Sequence, residues 1–275
     1  RCLIALSFYF ILNSSIFANR WTPEMMIQYQ RLSSTAISED GKFIAYEIST
    51  PILESEKSEF HSQIWLLSTY DESRFQLTQG KTSSSQPKFS PDNKWLGFLS
   101  ARGEKKTKQL FIISVSGGES IQITDVASSV NRFDWSPDAM KIAFTMADPE
   151  TDDDKKRKKE KRDWKIVDED YKYNHLYVVN IEEIEEPRQL TKGEMNVGSF
   201  DWSPDGAKIV YDHTEIPTAN SSSTSNISIV GLASGSSRVI VDWGGFDASP
   251  KFSNDGKRIA FVSDGDNPSW GREHY

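Results

Sequence analysis

Apolar and polar residues alternate with a period of two through most of this chain, and the alternation is interrupted at intervals by one recurring polar turn. Five segments carry the pattern: Ala36-Ile-Ser-Glu-Asp-Gly-Lys-Phe-Ile-Ala-Tyr46, Lys88-Phe-Ser-Pro-Asp-Asn-Lys-Trp-Leu-Gly-Phe98, Asp134-Trp-Ser-Pro-Asp-Ala-Met-Lys-Ile-Ala-Phe144, Asp201-Trp-Ser-Pro-Asp-Gly-Ala-Lys-Ile-Val-Tyr211 and Lys251-Phe-Ser-Asn-Asp-Gly-Lys-Arg-Ile-Ala-Phe261. Each reads as a β-hairpin. A large apolar residue (Ile37, Phe89, Trp135, Trp202 or Phe252) ends the incoming strand. In the turn, proline presets φ, the aspartate side chain bonds nearby amides and glycine accepts a positive φ. On the outgoing strand an aliphatic and an aromatic residue two apart, such as Ile142 and Phe144, share one face. The residue between them is Ala45, Gly97, Ala143, Val210 or Ala260, and its small size predicts the close approach of a second sheet.

Each of the first four hairpins is followed by a second strand pair. The third strands read Ile64-Trp-Leu-Leu67, Leu110-Phe-Ile-Ile113, Leu176-Tyr-Val-Val179 and Ile227-Ser-Ile-Val230. The fourth strands end in Gln76-Leu-Thr78, Gln122-Ile-Thr124, Gln189-Leu-Thr191 and, more loosely, Arg238-Val-Ile-Val241. Four antiparallel strands repeated at a period near 50 predict an all-β fold, a β-propeller of four-stranded blades. Four blades and half of a fifth are present, over residues 36–275, and the reading is of a piece of a longer protein. The turn aspartates Asp40, Asp92, Asp138, Asp205 and Asp255 are spaced by 52, 46, 67 and 50 residues, so the third interval holds an insertion. It is the charged stretch 148–170, which reads as a solvated loop or frayed helix.

Residues 19–35 form an N-terminal helical segment, with Thr22 as N-cap, Pro23 at the first helical position and the helix running towards Leu32. Before it, Arg1, an apolar run from Leu3 to Leu12 and the small residue Ala18 make a signal peptide over 1–18. This predicts export to the periplasm or outside the cell, with no membrane span after cleavage. Composition narrows the partners. With 32 Lys+Arg against 40 Asp+Glu the net charge is -8, which argues against nucleic acid. The single cysteine, Cys2, falls in the leader, so no internal disulfide forms.

Candidate chemistry is sparse. No Gly-x-Ser-x-Gly elbow is present, and Gly231-Leu-Ala-Ser-Gly235 has the wrong spacing. His61, His175, His213 and His274 lie in different units without i,i+4 partners, so no metal site and no cofactor are expected. One cluster remains, Asp168, Glu169, Asp170 and Tyr171. Carboxylates and a tyrosine on a propeller rim suit a cationic group such as a peptide N-terminus, and the competing reading is an acidic turn balancing the basic run Lys155 to Arg162.

Trp21-Thr-Pro-Glu-Met-Met26, leading through Arg31-Leu-Ser-Ser34 into the first hairpin, resembles the start of acylaminoacyl-peptidase and dipeptidyl-peptidase-like members of the prolyl oligopeptidase family. Val167-Asp-Glu-Asp-Tyr-Lys-Tyr-Asn-His-Leu-Tyr-Val178 is similar to a segment of the same group. The resemblance implies a propeller that restricts access to short peptides, followed by an α/β-hydrolase domain with a Ser, Asp, His triad. That downstream domain and peptide substrates are then the expected partners. No position here matches the triad, so the chain itself is expected to be non-catalytic. The competing readings are a periplasmic Tol-system-like propeller that binds proteins without catalysis and a propeller enzyme acting on sugars, for which no carboxylate pair can be placed.

Overall fold

The computed structural model describes residues 22–54, 57–161, 171–218, 221 and 224–265. Among the described residues, eighteen strands form four four-stranded antiparallel sheets and one hairpin, each in chain order. The first blade holds β1 (Arg31–Ile37), β2 (Phe43–Glu54), β3 (Lys57–Ser68) and β4 (Arg74–Gln76). The second holds β5 (Ser84–Phe89), β6 (Trp95–Ser100), β7 (Gln109–Ser114) and β8 (Ile121–Gln122). The third holds β9 (Val130–Trp135), β10 (Lys141–Ala147), β11 (Asn174–Asn180) and β12 (Arg188–Gln189). The fourth holds β13 (Asn196–Trp202), β14 (Lys208–Thr214), β15 (Asn226–Gly231) and β16 (Ser237–Val241), and β17 (Asp247–Phe252) pairs with β18 (Ile259–Ser263) as the fifth. The architecture is the all-β propeller that the repeats predict.

All five turns close in the same way. The serine hydroxyl donates to the aspartate two residues on, at 2.5–2.8 Å from Ser38 to Asp40, Ser90 to Asp92, Ser136 to Asp138, Ser203 to Asp205 and Ser253 to Asp255. That serine oxygen also accepts the amide that opens the return strand, as from Phe43 at 3.0 Å and Lys208 at 2.9 Å. The residue after the aspartate takes a left-handed φ in every copy: Gly41 at 68°, Asn93 at 59°, Ala139 at 58°, Gly206 at 66° and Gly256 at 68°. Glycine meets this without strain, asparagine tolerates it, and alanine pays a steric cost.

The fourth strands of the first three blades are two or three residues long because a side-chain latch takes over from the ladder. Thr78, Thr124 and Thr191 each accept the first amide of the third strand's apolar run, from Ile64, Leu110 and Leu176, at 2.9 Å. Their hydroxyls donate to Gln63 at 2.7 Å and Gln109 at 2.8 Å, and Thr191 lies 3.3 Å from Nδ1 of His175. The Gln-Leu-Thr repeat is thus a clamp that drops Leu77, Ile123 and Leu190 into the core.

The core lies between blades. Ile142 and Phe144 pack back onto the second blade with Leu99 and Ile112, whereas Ala143 faces the fourth with Phe200 and Trp202. Gly97 carries the close approach furthest: a Cβ there would lie 2.7 Å from Cε2 of Phe133 and 3.2 Å from Nε1 of Trp135. The Trp135 indole donates to the Lys88 carbonyl at 3.1 Å, and Trp202 repeats the bond to Asp134 at 3.3 Å. The two outermost blades each present an uncovered face. Ile37, which corresponds to these tryptophans, is 66% exposed, and Ala260, which corresponds to Gly97, is exposed too.

Among the described residues two α-helices accompany the sheets. Helix α1 (Pro23–Ile27) has the expected cap, with the Met25 amide donating to Thr22 Oγ1 at 3.3 Å. It stops at Ile27 instead of running to Leu32, and strand β1 starts at Arg31, ahead of Ala36. The reason is the long β2, which pairs Arg31 with Ser49 and Leu32 with Ile48. Within the insertion, α2 (Asp152–Lys159) opens on a Thr151–Asp154 capping box with acids in the first turn and bases in the last, and buries no residue. It is a solvated helix. The stretch 1–18, expected to be a signal peptide, lies outside the described residues, and no helix among them is long and apolar enough to cross a membrane.

Candidate functional site

The first strand of every blade carries a bulge at the same place. Pairing slips between Leu32 and Thr35, Ser85 and Lys88, Val197 and Phe200, and Ala248 and Lys251, while β9 pairs Val130 and Arg132 with adjacent residues of β10. A bulge re-aims side chains. Here it happens at Gln86-Pro87 and Ser249-Pro250, where Gln86 and Ser249 both adopt φ 55°.

Buried carboxylates on the second strands hold the bulges. Glu47 accepts the Gln86 amide at 3.3 Å, and Asp212 accepts the Ser199 amide at 2.9 Å and the Ser249 amide at 2.8 Å. The Ser199 hydroxyl also donates to Asp212. Gly198 is required beside it, because a Cβ there would overlap the Asp212 carboxylate.

The five bulged strands wall a single cavity of about 530 Å³. Ser34, Gln86, Arg132, Ser199 and Ser249, one from each blade, are among its lining residues, so the cavity lies where the inner strands converge, on the propeller axis. Its charges are Lys88, Arg132, Lys251 and Asp134. Lys88 pairs with Asp134 at 2.9 Å and Lys251 with Asp201 at 2.5 Å, in each case joining adjacent blades. Arg132 has no ion pair among the described residues.

A second hollow, about 520 Å³, lies against the uncovered face of the first blade and is lined by Tyr46, His61, Gln63, Trp65 and Arg74 among others.

Of the cluster singled out from sequence, Asp168, Glu169 and Asp170 lie outside the described residues. Tyr171 is half-buried and meets Tyr173 edge-on, with ring centroids 6.2 Å apart, and Tyr173 stacks on towards His175 at 6.4 Å. Lys172 ties this stretch to α2 by pairing with Asp154 at 2.7 Å, an ion pair that together with the Thr151 hydroxyl holds the Asp154 carboxyl well below the usual range. His175 and His213 are buried at one rim, and burial lowers both pKa values, partly opposed by Asp148 at His175 and by Asp212, Asp242 and Glu215 at His213. Among the described residues no three His, Cys, Asp or Glu side chains come together as a metal site.

The axial residues escape sequence reading because each blade contributes only two or three of them. The usable signal was the repeat Gln86-Pro-Lys-Phe89 and Ser249-Pro-Lys-Phe252, which marks the bulge.

Residues 41–109 match the family described as "Acylamino-acid-releasing enzyme, N-terminal domain". The chain is 30% identical over 206 residues to "Uncharacterized peptidase YuxL" of Bacillus subtilis, covering 70% of this chain and 31% of that protein. It is 28% identical over 273 residues to "Dipeptidyl-peptidase 5" of Porphyromonas gingivalis, covering 88% of this chain and 38% of that protein. The chain therefore spans about a third of the length of these curated relatives. Among solved structures, the Pyrococcus horikoshii acylaminoacyl peptidase superposes with a TM-score of 0.64 at 17% identity, over 88% of this chain and 37% of that one, a likeness of fold. The matched domain, the peptidase relatives and the common blade architecture place this chain in the prolyl oligopeptidase family, within its N-terminal propeller.

Proposed function

We propose that the chain is the substrate-gating part of an exported serine peptidase that cleaves short peptides, in the manner of acylaminoacyl- or dipeptidyl-peptidases, and that it is itself non-catalytic. The observation that carries the reading is the axial cavity, lined by the inner strands of all five blades, in a chain whose relatives are peptidases. A cavity of that kind suits a narrow, extended ligand, and among the described residues no histidine stands beside the serines that line it. The triad then belongs to an α/β-hydrolase domain of the natural protein. The uncovered faces at Ile37 and Ala260 are the contact surfaces for its remaining blades, since each lacks the partner that every other blade boundary supplies.

The test compares the natural protein with the isolated 275-residue chain on acyl-peptide and dipeptidyl chromogenic substrates. Turnover is expected from the natural protein alone. Turnover by the isolated chain overturns the non-catalytic assignment, and a natural protein that binds other proteins but hydrolyses no peptide supports the Tol-like reading instead. Export is checked separately by N-terminal sequencing of the mature protein, expected to begin at Asn19.

A further inference from the structure

We propose that Arg132 is a carboxylate-recognition residue of the axial cavity and makes it favour peptides that carry a free carboxylate. The inference rests on the peptidase reading and names the substrate class. Of the three cations lining the cavity, Lys88 and Lys251 are neutralised by Asp134 and Asp201, while Arg132 is exposed and has no acidic partner among the described residues. Beside it the cavity wall presents the neutral groups Ser34, Thr35, Gln86, Ser199 and Ser249, and its one lining acid, Asp134, is paired with Lys88. The chain as a whole carries -8, so an unneutralised cation on the axis stands out against its surroundings. A guanidinium fork matches a carboxylate with two parallel hydrogen bonds, which a lysine cannot reproduce.

The backbone bearing Arg132 is also fixed. Asn131, the bulged residue before it, accepts Gln86 Nε2 on its carbonyl at 3.3 Å and donates its side-chain amide to Asn174 at 2.7 Å. The second and third blades therefore both hold the strand at this point, and a ligand need not order it on binding.

The natural protein is assayed on one peptide in three forms: with a free C-terminus, with a C-terminal amide, and as the amide with an internal Glu. Arg132→Gln is expected to reduce kcat/KM about ten- to hundredfold on the carboxylate form it recognises, mainly through KM, and to leave the neutral amide unchanged. Arg132→Lys is expected to fall between. Whichever of the free C-terminus or the Glu arm responds identifies the source of the carboxylate. An equal loss on all three forms, or no loss on any, overturns the inference while leaving the peptidase reading intact. If the wild-type protein cleaves none of them, the peptidase reading fails. Equilibrium binding of the same three peptides to wild type and Arg132→Gln then decides the role of Arg132 alone, and equal affinities overturn it.

Discussion

The Asp212 carboxylate on β14 accepts the Ser249 amide on β17 at 2.8 Å, across the boundary between the fourth and fifth blades. The same carboxylate holds the Ser199 amide of its own blade at 2.9 Å, and Asp212 is only 8% exposed. One side chain thus satisfies two bulge amides that the sheet ladders cannot reach, and it sets the spacing of two inner strands on the axis. Asp212→Ala leaves both amides without an acceptor and is expected to cost about 2–5 kcal/mol. Gly198→Ala, which forces a methyl group against the carboxylate, is expected to destabilise as well, and the pair should be non-additive because both act on one contact. Urea midpoints of the two single variants and the double variant check this.

The strand order and the blade boundaries were legible because they depend on local rules. A serine two residues before an aspartate closes a turn on itself, and alternation sorts Ile142 and Phe144 from Ala143 onto opposite faces. The latch was half legible: Gln-Leu-Thr stood out as a repeat, but its meaning needs Thr124 beside Gln109 and Leu110 in space. The end of α1 is not legible in the sequence, because Arg31 and Leu32 are captured by β2, a long-range pairing that helix signals around Thr22 and Pro23 do not register. The axial cavity was illegible, since Gln86, Arg132, Ser199 and Ser249 come together only after the ring forms.

Ala139 occupies the left-handed position of the third turn at φ 58°. A side chain in that region costs about 1–2 kcal/mol, and glycine gives back part of the gain through its larger unfolded-state entropy. Ala139→Gly is therefore expected to stabilise by about 0.5–1 kcal/mol, and Gly206→Ala, at φ 66° in the next turn, to destabilise by a similar amount. Thermal unfolding of the two variants should move Tm in opposite directions.

Asp247 opens β17 fully buried, and neither carboxylate oxygen has a hydrogen-bond partner among the described residues. Only its backbone is engaged, through the Ser225 hydroxyl at 2.8 Å and 3.0 Å. The same position in the other blades holds Leu32, Ser84, Val130 and Val197, and Ser84 is satisfied by Arg102 at 2.8 Å. An unpaired polar group in that layer is costly, whereas valine already fits it in two blades. Asp247→Val is expected to stabilise by roughly 1–3 kcal/mol, read from chemical denaturation at neutral pH. A loss of stability would reveal a cation that pairs with Asp247.

Acid sensitivity should begin at the buried histidines. Burial lowers the pKa of His175 and of His213, so on acidification the unfolded chain takes up protons near pH 6.5 before the folded one does. Their contribution to stability is complete above about pH 7.5 and is lost as pH falls from about 6.5 through the folded values, at up to about 1.4 kcal/mol per pH unit for each histidine. His175 can be replaced with a built-in precedent, because Gln63 and Gln109 take the same place beside Thr78 and Thr124 in the first two blades. His175→Gln is therefore expected to keep the clamp on Thr191 and to match wild type at pH 8, while flattening the decline between pH 7 and 5. Urea titrations at a series of pH values measure the slope, and a variant whose slope equals that of wild type would rule out His175 as a source of the acid sensitivity.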